Sequence, residues 1–122
     1  MEIKVIQQDF AICKVKDLTK VDFTDEFCFI GKTDEELSLV CSLNRIPDNA
    51  TDCDDGWRAF RIQGVLDFSL IGILSKISTL LAENKIGIFA ASTYNTDYIL
   101  TKADYYEAAI EVLRSNGYQI RL

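Results

Sequence analysis

The hydrophobic spacing in the second half of the chain is the feature that most constrains how the chain can fold. Between residues 69 and 83 the apolar residues recur at intervals of three and four, which predicts an amphipathic helix. The residues of that apolar face are Leu70, Ile73, Leu74, Ile77, Leu80 and Leu81. Residues 86–91 form a continuous apolar run, which is typical of a strand covered on both faces or by a crossover helix. Together with an alternating run at 57–63, this predicts two parallel strands joined by a helix in a right-handed crossover.

The ends of these two predicted strands carry polar residues. Parallel strands finish at the same edge of a sheet, so the loop at 64–69 and the turn at 92–97 are predicted to lie side by side. By analogy with open α/β sheets, a small ligand is expected to bind at that edge.

The rest of the second half completes a known order of elements. Residues 97–101 read as a strand that pairs back on the apolar run through a short polar turn. Thr101 is positioned to cap a second helix, with Asp104 near the positive end of that helix and Asn116-Gly117 at its other end. Its inner face is predicted to consist of Tyr106, Ala109, Ile110 and Leu113. With an alternating last strand at 118–122, the order is βαββαβ, the ferredoxin-like arrangement of the α+β class.

The first half reads as short strands separated by polar residues. Four strands are predicted, at 3–6, 10–15, 27–30 and 37–41. The polar residues 7–9 are expected to interrupt the first two. The clearest polar break, at 49–56, is interpreted as a solvated linker and as the domain boundary. The chain is thus predicted to divide into an N-terminal half at 1–55 and a second domain at 56–122.

Composition and charge narrow the class of partner. The chain has 122 residues, enough for one domain or two very small ones, and 48% of them are apolar. A net charge of −6 without a run of Lys or Arg argues against nucleic acid or an anionic membrane as partner. No stretch approaches the roughly 18 apolar residues of a membrane span, and the first residues lack the apolar core of a signal peptide. A cytoplasmic location is therefore expected.

The residue types that bind metals are scarce. The four cysteines form no C-x-x-C pair and the chain has no histidine, so reduced thiols are expected and neither a metal nor a cofactor is predicted. Cys13, Cys28 and Cys41 lie in apolar runs and are interpreted as small buried hydrophobes. The aspartates at 52–55 resemble the start of a calcium loop, but their spacing is wrong and no glutamate follows at the twelfth position.

Catalytic motifs are also scarce. There is no histidine to serve as a base, no G-x-S-x-G elbow and no glycine-rich phosphate loop. Only Asp67 and Asp97 are placed to form a carboxylate pair at the predicted sheet edge. The protein is therefore predicted not to be an enzyme.

The second half resembles an ACT domain. The resemblance is carried by the strand W-R-A-F-R-I-Q-G, the helix start L-D-F-S-L-I-G-I-L and the turn and strand S-T-Y-N-T-D-Y-I-L. More narrowly, the chain is similar to the small tandem-ACT proteins related to the CASTOR-type amino-acid sensors. The segments F-A-I-C-K-V and T-D-E-E-L-S-L-V-C extend the similarity to the first half. The resemblance implies a smaller, degenerate ACT-like half at 1–55 ahead of the ACT domain at 56–122.

The same resemblance implies a site for a free amino acid. In the arginine-sensing members, the ligand is held between the turn after the second ACT strand and the loop that opens the first helix. The matching residues are Thr93, Tyr94, Asn95 and Asp97 in the turn, and Asp67, Ser69, Leu70, Ile71, Gly72 and Ile73 at the helix start. The sensors contain duplicated halves, and this chain matches one of them, so a homodimer is also implied.

The chemistry of these residue types suits an amino-acid zwitterion. Free N–H groups at the predicted helix start can bind the carboxylate, and Asp97 can pair with an ammonium group or a basic side chain. Other interpretations stay open, because Asp67 or Ser69 can simply cap the helix and residues 94–97 can be only a hairpin turn. The predicted function is a regulatory or sensing module that binds a small amino acid. The alternative is a ligand-free module for dimerisation or for docking on an unknown protein partner.

Overall fold

A computed structural model describes residues 1–63 and 72–122 of the chain. The fold is of the mixed α+β type, with seven strands and two α-helices among the described residues. The strands are β1 (Glu2–Val15), β2 (Phe29–Lys32), β3 (Leu37–Ser42), β4 (Ala50–Ile62), β5 (Phe89–Ser92), β6 (Asp97–Lys102) and β7 (Gln119–Arg121). The helices are α1 (Ile73–Glu83) and α2 (Ala103–Ser115), and Leu43–Arg45 forms a short 3-10 turn.

The chain divides into two compact units. An N-terminal unit consists of Gln8–Trp57, and a C-terminal unit consists of Met1–Gln7 together with Arg58–Leu122. The long strands β1 and β4 each contribute residues to both units. The first seven residues, which the sequence assigned to the N-terminal half, therefore group with the C-terminal unit. The division into domains at 1–55 and 56–122 stays a prediction.

The N-terminal unit is built on strands in the order β2, β3, β1, β4. Strand β3 pairs in antiparallel fashion with both β1 and β2. Its core consists of Val15, Leu39 and Cys41, around which Leu18, Val21, Cys28, Leu37, Ile46 and Ala50 are packed. The predicted strand at 37–41 is confirmed, and the one predicted at 27–30 begins two residues later.

Polar side chains hold the loop between β1 and β2 in place. Asp17 accepts hydrogen bonds from the backbone N–H and the hydroxyl of Thr19, at 3.0 and 2.6 Å, and these bonds lower the pKa of its carboxyl. Further along the loop, the carboxylate of Asp25 accepts bonds from the backbone N–H and the hydroxyl of Ser42, at 2.9 and 2.6 Å. The loop is thereby fixed to the end of β3.

Two sequence predictions about strand continuity were wrong. The polar residues 7–9 do not interrupt the first strand, because β1 runs unbroken from Glu2 to Val15. The polar stretch at 49–56 is not a linker, because β4 begins at Ala50 and includes the exposed aspartates. Both errors have one cause: the hydrogen bonds of a strand come from its backbone, and exposed side chains of any polarity are tolerated along it.

The C-terminal unit places β1 among the strands that follow it in the chain. Strands β1, β4, β6 and β5 are neighbours in that order, and β7 pairs with the start of β1 in parallel fashion. Among the described residues, β4 is followed along the chain by α1, β5, β6, α2 and β7. The start of β1 adds a fifth strand that the βαββαβ pattern does not contain.

The predicted bounds of the strand in the apolar run at 86–91 were also wrong. Strand β5 starts at Phe89, is paired with β6 as predicted, and stands at the end of the strand order. Its residues alternate between half-buried and exposed, so the strand is not covered on both faces. The apolar run looked continuous because Ile86 and Ile88, which precede the strand, pack against the core separately.

The apolar faces of the two helices form the core of the C-terminal unit with the sheet. On α1, Ile77 and Leu81 are fully buried, while Ile73, Leu74 and Leu80 are partly buried; Leu70 lies outside the described residues. The predicted inner face of α2 is confirmed, since all its members are buried. The sheet contributes Ile3, Val5, Phe60, Ile62 and Ile99 to the same cluster.

The ends of the helices differ in part from the prediction. Thr101 does not cap α2, because it is fully buried in β6 and the helix begins at Ala103. The other end is confirmed, with Asn116 at the C-cap and Gly117 at a φ of +92°. Helix α1 begins at Ile73 after Gly72, whose φ is +83°. The predicted helix start near residue 69 was therefore wrong: the left-handed backbone of Gly72 lies outside the helix, which begins four residues later than predicted.

Truncation of a buried residue in this core is expected to destabilise the protein strongly. Leu81→Ala removes a fully buried side chain of α1, so we expect a loss of about 2–5 kcal/mol in the free energy of unfolding, measured by urea denaturation. The matched control is Thr79→Ala on the exposed side of the same helix, for which a change within about 0.5 kcal/mol is expected. Equal effects of the two changes would contradict the assignment of the apolar face.

Candidate functional site

The predicted site, called the rim below, consists of residues 67–73 and 93–97. Its second part is the turn between β5 and β6, which is closed by threonine side chains. The backbone N–H and the hydroxyl of Thr93 both donate to the carbonyl oxygen of Thr96, at 2.8 and 3.0 Å. The backbone N–H of Thr96 donates back to the Thr93 hydroxyl at 3.3 Å. Hydrogen bonds between Thr93 and Thr96 therefore hold the turn in one conformation.

A buried hydrogen bond attaches this turn to the end of β4. The hydroxyl of Thr96, whose residue is 9% exposed, donates to the carbonyl oxygen of Ile62 at 2.6 Å. Ile62 is the last residue of β4, and only Gln63 separates it from residues 64–71. The turn and the end of the preceding strand thus lie together, as the sequence predicted for this edge. The loop at 64–69 itself lies outside the described residues.

Asp97 is half-buried at the start of β6. Its Oδ1 accepts a hydrogen bond of 2.5 Å from the hydroxyl of Ser92, the residue directly opposite on β5. Tyr94, at the tip of the turn, is 85% exposed. The carboxylate of Asp97 therefore has a structural role in the hairpin, and a carboxylate retains further acceptor positions after one such bond.

A cation that the sequence pattern did not indicate lies next to this turn, at Tyr98 of β6. The guanidinium group of Arg61 donates to the hydroxyl of Tyr98 at 3.1 Å and, through Nε, to the side-chain oxygen of Gln63 at 3.0 Å. Its central carbon lies 5.8 Å from the centroid of the Tyr98 ring. Alternation along β4 indicated that Arg61 faces away from the core, but only the strand order shows which tyrosine it meets.

The first part of the rim is described only at its end. Asp67, Ser69, Leu70 and Ile71 lie outside the described residues. Gly72 and Ile73 line a cavity of about 520 Å³ at the start of α1, whose other walls come from Met1, Lys76, Leu80, Asn116, Gly117 and Tyr118. Among the described residues, those of the turn at 93–97 are not part of this lining. The structure therefore brings Gly72 and Ile73 together with the end of α2.

This cavity contains polar groups that the sequence pattern did not single out. Lys76 contributes an ammonium group one turn into α1, and its backbone N–H donates to the carbonyl oxygen of Gly72 at 2.8 Å. The side-chain amide of Asn116 donates to the carbonyl oxygen of Val112 at 2.8 Å, and burial raises the pKa of the Tyr118 phenol. A lysine on an amphipathic helix usually marks the solvated face, so its spacing gave no signal of a cavity.

The four cysteines lie in the N-terminal unit and differ in burial. Cys13 and Cys41 are buried, as predicted, whereas Cys28 is half-buried and Cys53 is exposed. Burial raises the pKa of Cys41 to about 11 and that of Cys13 well above its usual range, with a hydrogen bond to Cys53 adding to the effect at Cys13. Among the described residues, no group of cysteine and carboxylate side chains is arranged to hold a metal ion.

Comparison with known protein families shows which family the chain belongs to. The profile of the ACT domain family matches residues 52–115, more than half of the chain, and the chain therefore belongs to the ACT domain family. A second profile, that of an N-terminal domain family, matches residues 8–49. A search of curated protein sequences found no match.

Solved structures share the fold. A protein from Agobacterium tumefaciens is 30% identical, with a TM-score of 0.85 over 99% of this chain and 92% of the other. A protein of unknown function from Vibrio cholerae, described as a possible transport protein, is 17% identical, with a TM-score of 0.73 over 93% and 88% of the two chains. The ligand-free regulatory subunit of aspartate kinase from Thermus thermophilus is 12% identical, with a TM-score of 0.65 over 96% and 98%.

Of the helices that the structure describes, none has the length and apolar character to cross a membrane.

Thiol reactivity is expected to follow this difference in burial. The thiolate is the reactive form of cysteine, so a buried thiol with a raised pKa reacts slowly at about pH 8. We expect a disulfide reagent to modify Cys53 rapidly, Cys28 more slowly, and Cys13 and Cys41 only after unfolding. In the Cys53→Ser control the rapid phase should disappear, and a rapid phase that persists would contradict the assignment.

Proposed function

We propose that this protein is a non-catalytic regulatory module that binds a free amino acid at the rim. The observation that carries the proposal is the bond from the Thr96 hydroxyl to the carbonyl oxygen of Ile62, at 2.6 Å. It fixes the turn at 93–97 beside the end of β4, close to where residues 64–71 begin. Membership of the ACT domain family supports a regulatory role, as does the fold shared with an aspartate kinase regulatory subunit.

The proposed binding chemistry divides the zwitterion between the two parts of the rim. Backbone N–H groups at the start of α1, from Ile73 on, would bind the carboxylate, because the first N–H groups of a helix have no partner within the helix. Ser69, Leu70 and Ile71 are proposed as further contacts from the residues that precede the helix. Asp97 would pair with the ammonium group, using acceptor positions that the bond from Ser92 leaves available. The remaining proposed contacts are Asp67, Gly72, Thr93, Tyr94 and Asn95.

A thermal-shift screen of the twenty amino acids tests this proposal directly. A ligand that binds only the native state stabilises it by RT ln(1 + [L]/Kd), which is about 2.7 kcal/mol at a hundredfold excess over Kd. We expect one amino acid, or a small group of related ones, to raise the melting temperature. A flat response across all twenty at millimolar concentrations would remove amino-acid sensing from consideration.

A pair of substitutions separates ligand binding from the stability of the hairpin. Asp97→Ala removes the carboxylate and should weaken binding of the amino acid found in the screen by about 2–5 kcal/mol, since the ligand ammonium is left unpaired. Ser92→Ala removes the hydrogen bond to Asp97 but keeps the carboxylate, and it should change binding by less than about 1 kcal/mol. Calorimetry gives both values. Equal affinities of Asp97→Ala and the parent protein would show that the ligand binds elsewhere.

We also propose that the protein is a homodimer that associates through its ACT domain. Strand β5 stands at the end of the strand order and presents the small residues Ala90 and Ser92 to solvent. An edge strand carries backbone groups that can pair with another chain, and in a twofold dimer the same edge serves both copies. Light scattering at about 50 μM should return twice the chain mass. A monomer mass at that concentration would refute the dimer.

A ligand-free interaction module is the second candidate, and one observation favours it. The short bond from Ser92 to Asp97 gives the carboxylate a role in the hairpin without any ligand. In that case the hairpin of β5 and β6 would serve dimerisation or docking on another protein. No amino acid in the screen would then raise the melting temperature, while light scattering would still return the mass of a dimer. We also propose a relation to the CASTOR-type sensors, as part of the amino-acid-binding function, and a cytoplasmic location.

A further inference from the structure

A second cavity lies against α2 in the C-terminal unit, apart from the residues of the rim. It has a volume of about 390 Å³, and it is called the α2 cavity below. Its lining includes Val5, Arg58, Tyr106, Glu107, Glu111 and Arg114. All of them lie in the described part of one compact unit. The volume falls within the range of about 300–1,000 Å³ that is typical of small-molecule sites.

The guanidinium group of Arg58 is held at a fixed position in this cavity. Its central carbon lies 4.7 Å from the centroid of the Tyr106 ring, in a cation–π arrangement. The ring is itself fixed, since the Tyr106 hydroxyl donates to the carbonyl oxygen of Ala59 at 2.6 Å and the residue is only 4% exposed. Burial raises the pKa of that phenol to about 12, and the nearby Arg58 opposes the shift. A cation held by a buried aromatic ring is preorganised to bind an anion.

The opening of the α2 cavity carries one more cation and two carboxylates. Arg114 and Glu111 form an ion pair of 2.6 Å, with 54% and 64% of their side chains exposed. An exposed pair of this kind contributes at most about 1 kcal/mol, so it can open and let each member contact a ligand. Glu107 is exposed one helical turn before Glu111 and belongs to the same lining.

The balance of charge selects the class of ligand. A dianion such as phosphate would meet Arg58 and Arg114 but would also face two carboxylates, and a simple cation would be repelled by the two guanidinium groups. A small zwitterion satisfies both signs at once, because guanidinium groups pair with carboxylates in a two-point geometry and glutamates accept from an ammonium group. Val5 and Ile110, which are 7% and 8% exposed, supply an apolar wall for an aliphatic portion.

We propose that the α2 cavity is a second binding site, distinct from the rim, for a small zwitterion of which a free α-amino acid is the simplest example. Arg58 and Arg114 bind the carboxylate, and Glu107 and Glu111 bind the ammonium group.

The test is a titration of the 15N-labelled full chain followed by NMR, with L-alanine as the probe. Propionate and ethylamine, each of which keeps only one of the two charges, are the comparison ligands. We expect L-alanine to shift the backbone amide signals of Ile110, Glu111 and Arg114, and propionate and ethylamine to bind there at least about tenfold more weakly. Equal affinity for propionate would overturn the assignment to a zwitterion.

Matched arginines on β4 provide the control. Arg58→Gln removes the guanidinium group over Tyr106, and the L-alanine affinity at the α2 cavity should fall at least about tenfold. Arg61→Gln removes a guanidinium group that contacts Tyr98 instead, and it should leave that affinity unchanged. Glu107→Gln, at an exposed position, covers the case in which Arg58→Gln fails to fold: it should weaken L-alanine and leave propionate unaffected. Parent affinity in both Arg58→Gln and Glu107→Gln would refute the proposal.

The same spectra distinguish this site from the proposed function. Shifts at the amides of 93–97 report the rim, and shifts at 110–114 report the α2 cavity. A titration that moves only the rim signals overturns the second site and leaves the proposed function intact. A titration that moves only the cavity signals supports the second site and shows that L-alanine is not the ligand of the rim, which the screen of twenty amino acids tests separately.

Discussion

The C-terminal unit depends on burial of one apolar face of its sheet beneath two helices. Phe60 and Ile62 of β4 are fully buried there, in contact with a cluster that includes Ile77 and Leu81 of α1. Each fully buried side chain of this size contributes about 1.5–3 kcal/mol, so the cluster fixes where both helices lie. The start of β1 adds Ile3 to the same cluster, which is why the first seven residues belong to this unit.

The polar features at the edge of the sheet follow from that core. Once Ile62 is buried, its carbonyl oxygen needs a partner, and the Thr96 hydroxyl supplies it. This single bond holds the turn at the end of β4 and so defines the rim. The Thr93 and Ser92 hydroxyls then close the turn from within, which leaves the exposed Tyr94 at its tip.

Strand alternation also explains why two arginines of β4 have different surroundings. Arg58 and Arg61 are three residues apart, so they point to opposite faces of the strand. Arg58 lies over Tyr106 of α2 on the helical face, and Arg61 lies over Tyr98 of β6. One arginine is thereby a wall of the α2 cavity while the other lies beside the rim.

The sequence by itself determined the features that depend on short-range periodicity. The spacing of apolar residues located both helices and their buried faces, and the polar turn at 93–97 was found from its residue types, because helix and hairpin signals repeat within a few residues. Membership of the ACT family was recognised from short motifs, while Asp67, Ser69, Leu70 and Ile71 stay predictions outside the described residues.

Only the tertiary structure decided which strands are neighbours. The pairing of β1 with β7, the place of β5 beyond β6, and the continuation of β4 through its aspartates all depend on backbone hydrogen bonds between residues far apart in the chain. The same holds for Lys76 and Tyr118, which line one cavity, and for Arg58 over Tyr106, since no local pattern records which distant side chains come together. Sequence periodicity says which face of an element is buried, and the burial of those faces in the core of each unit decides what each element packs against.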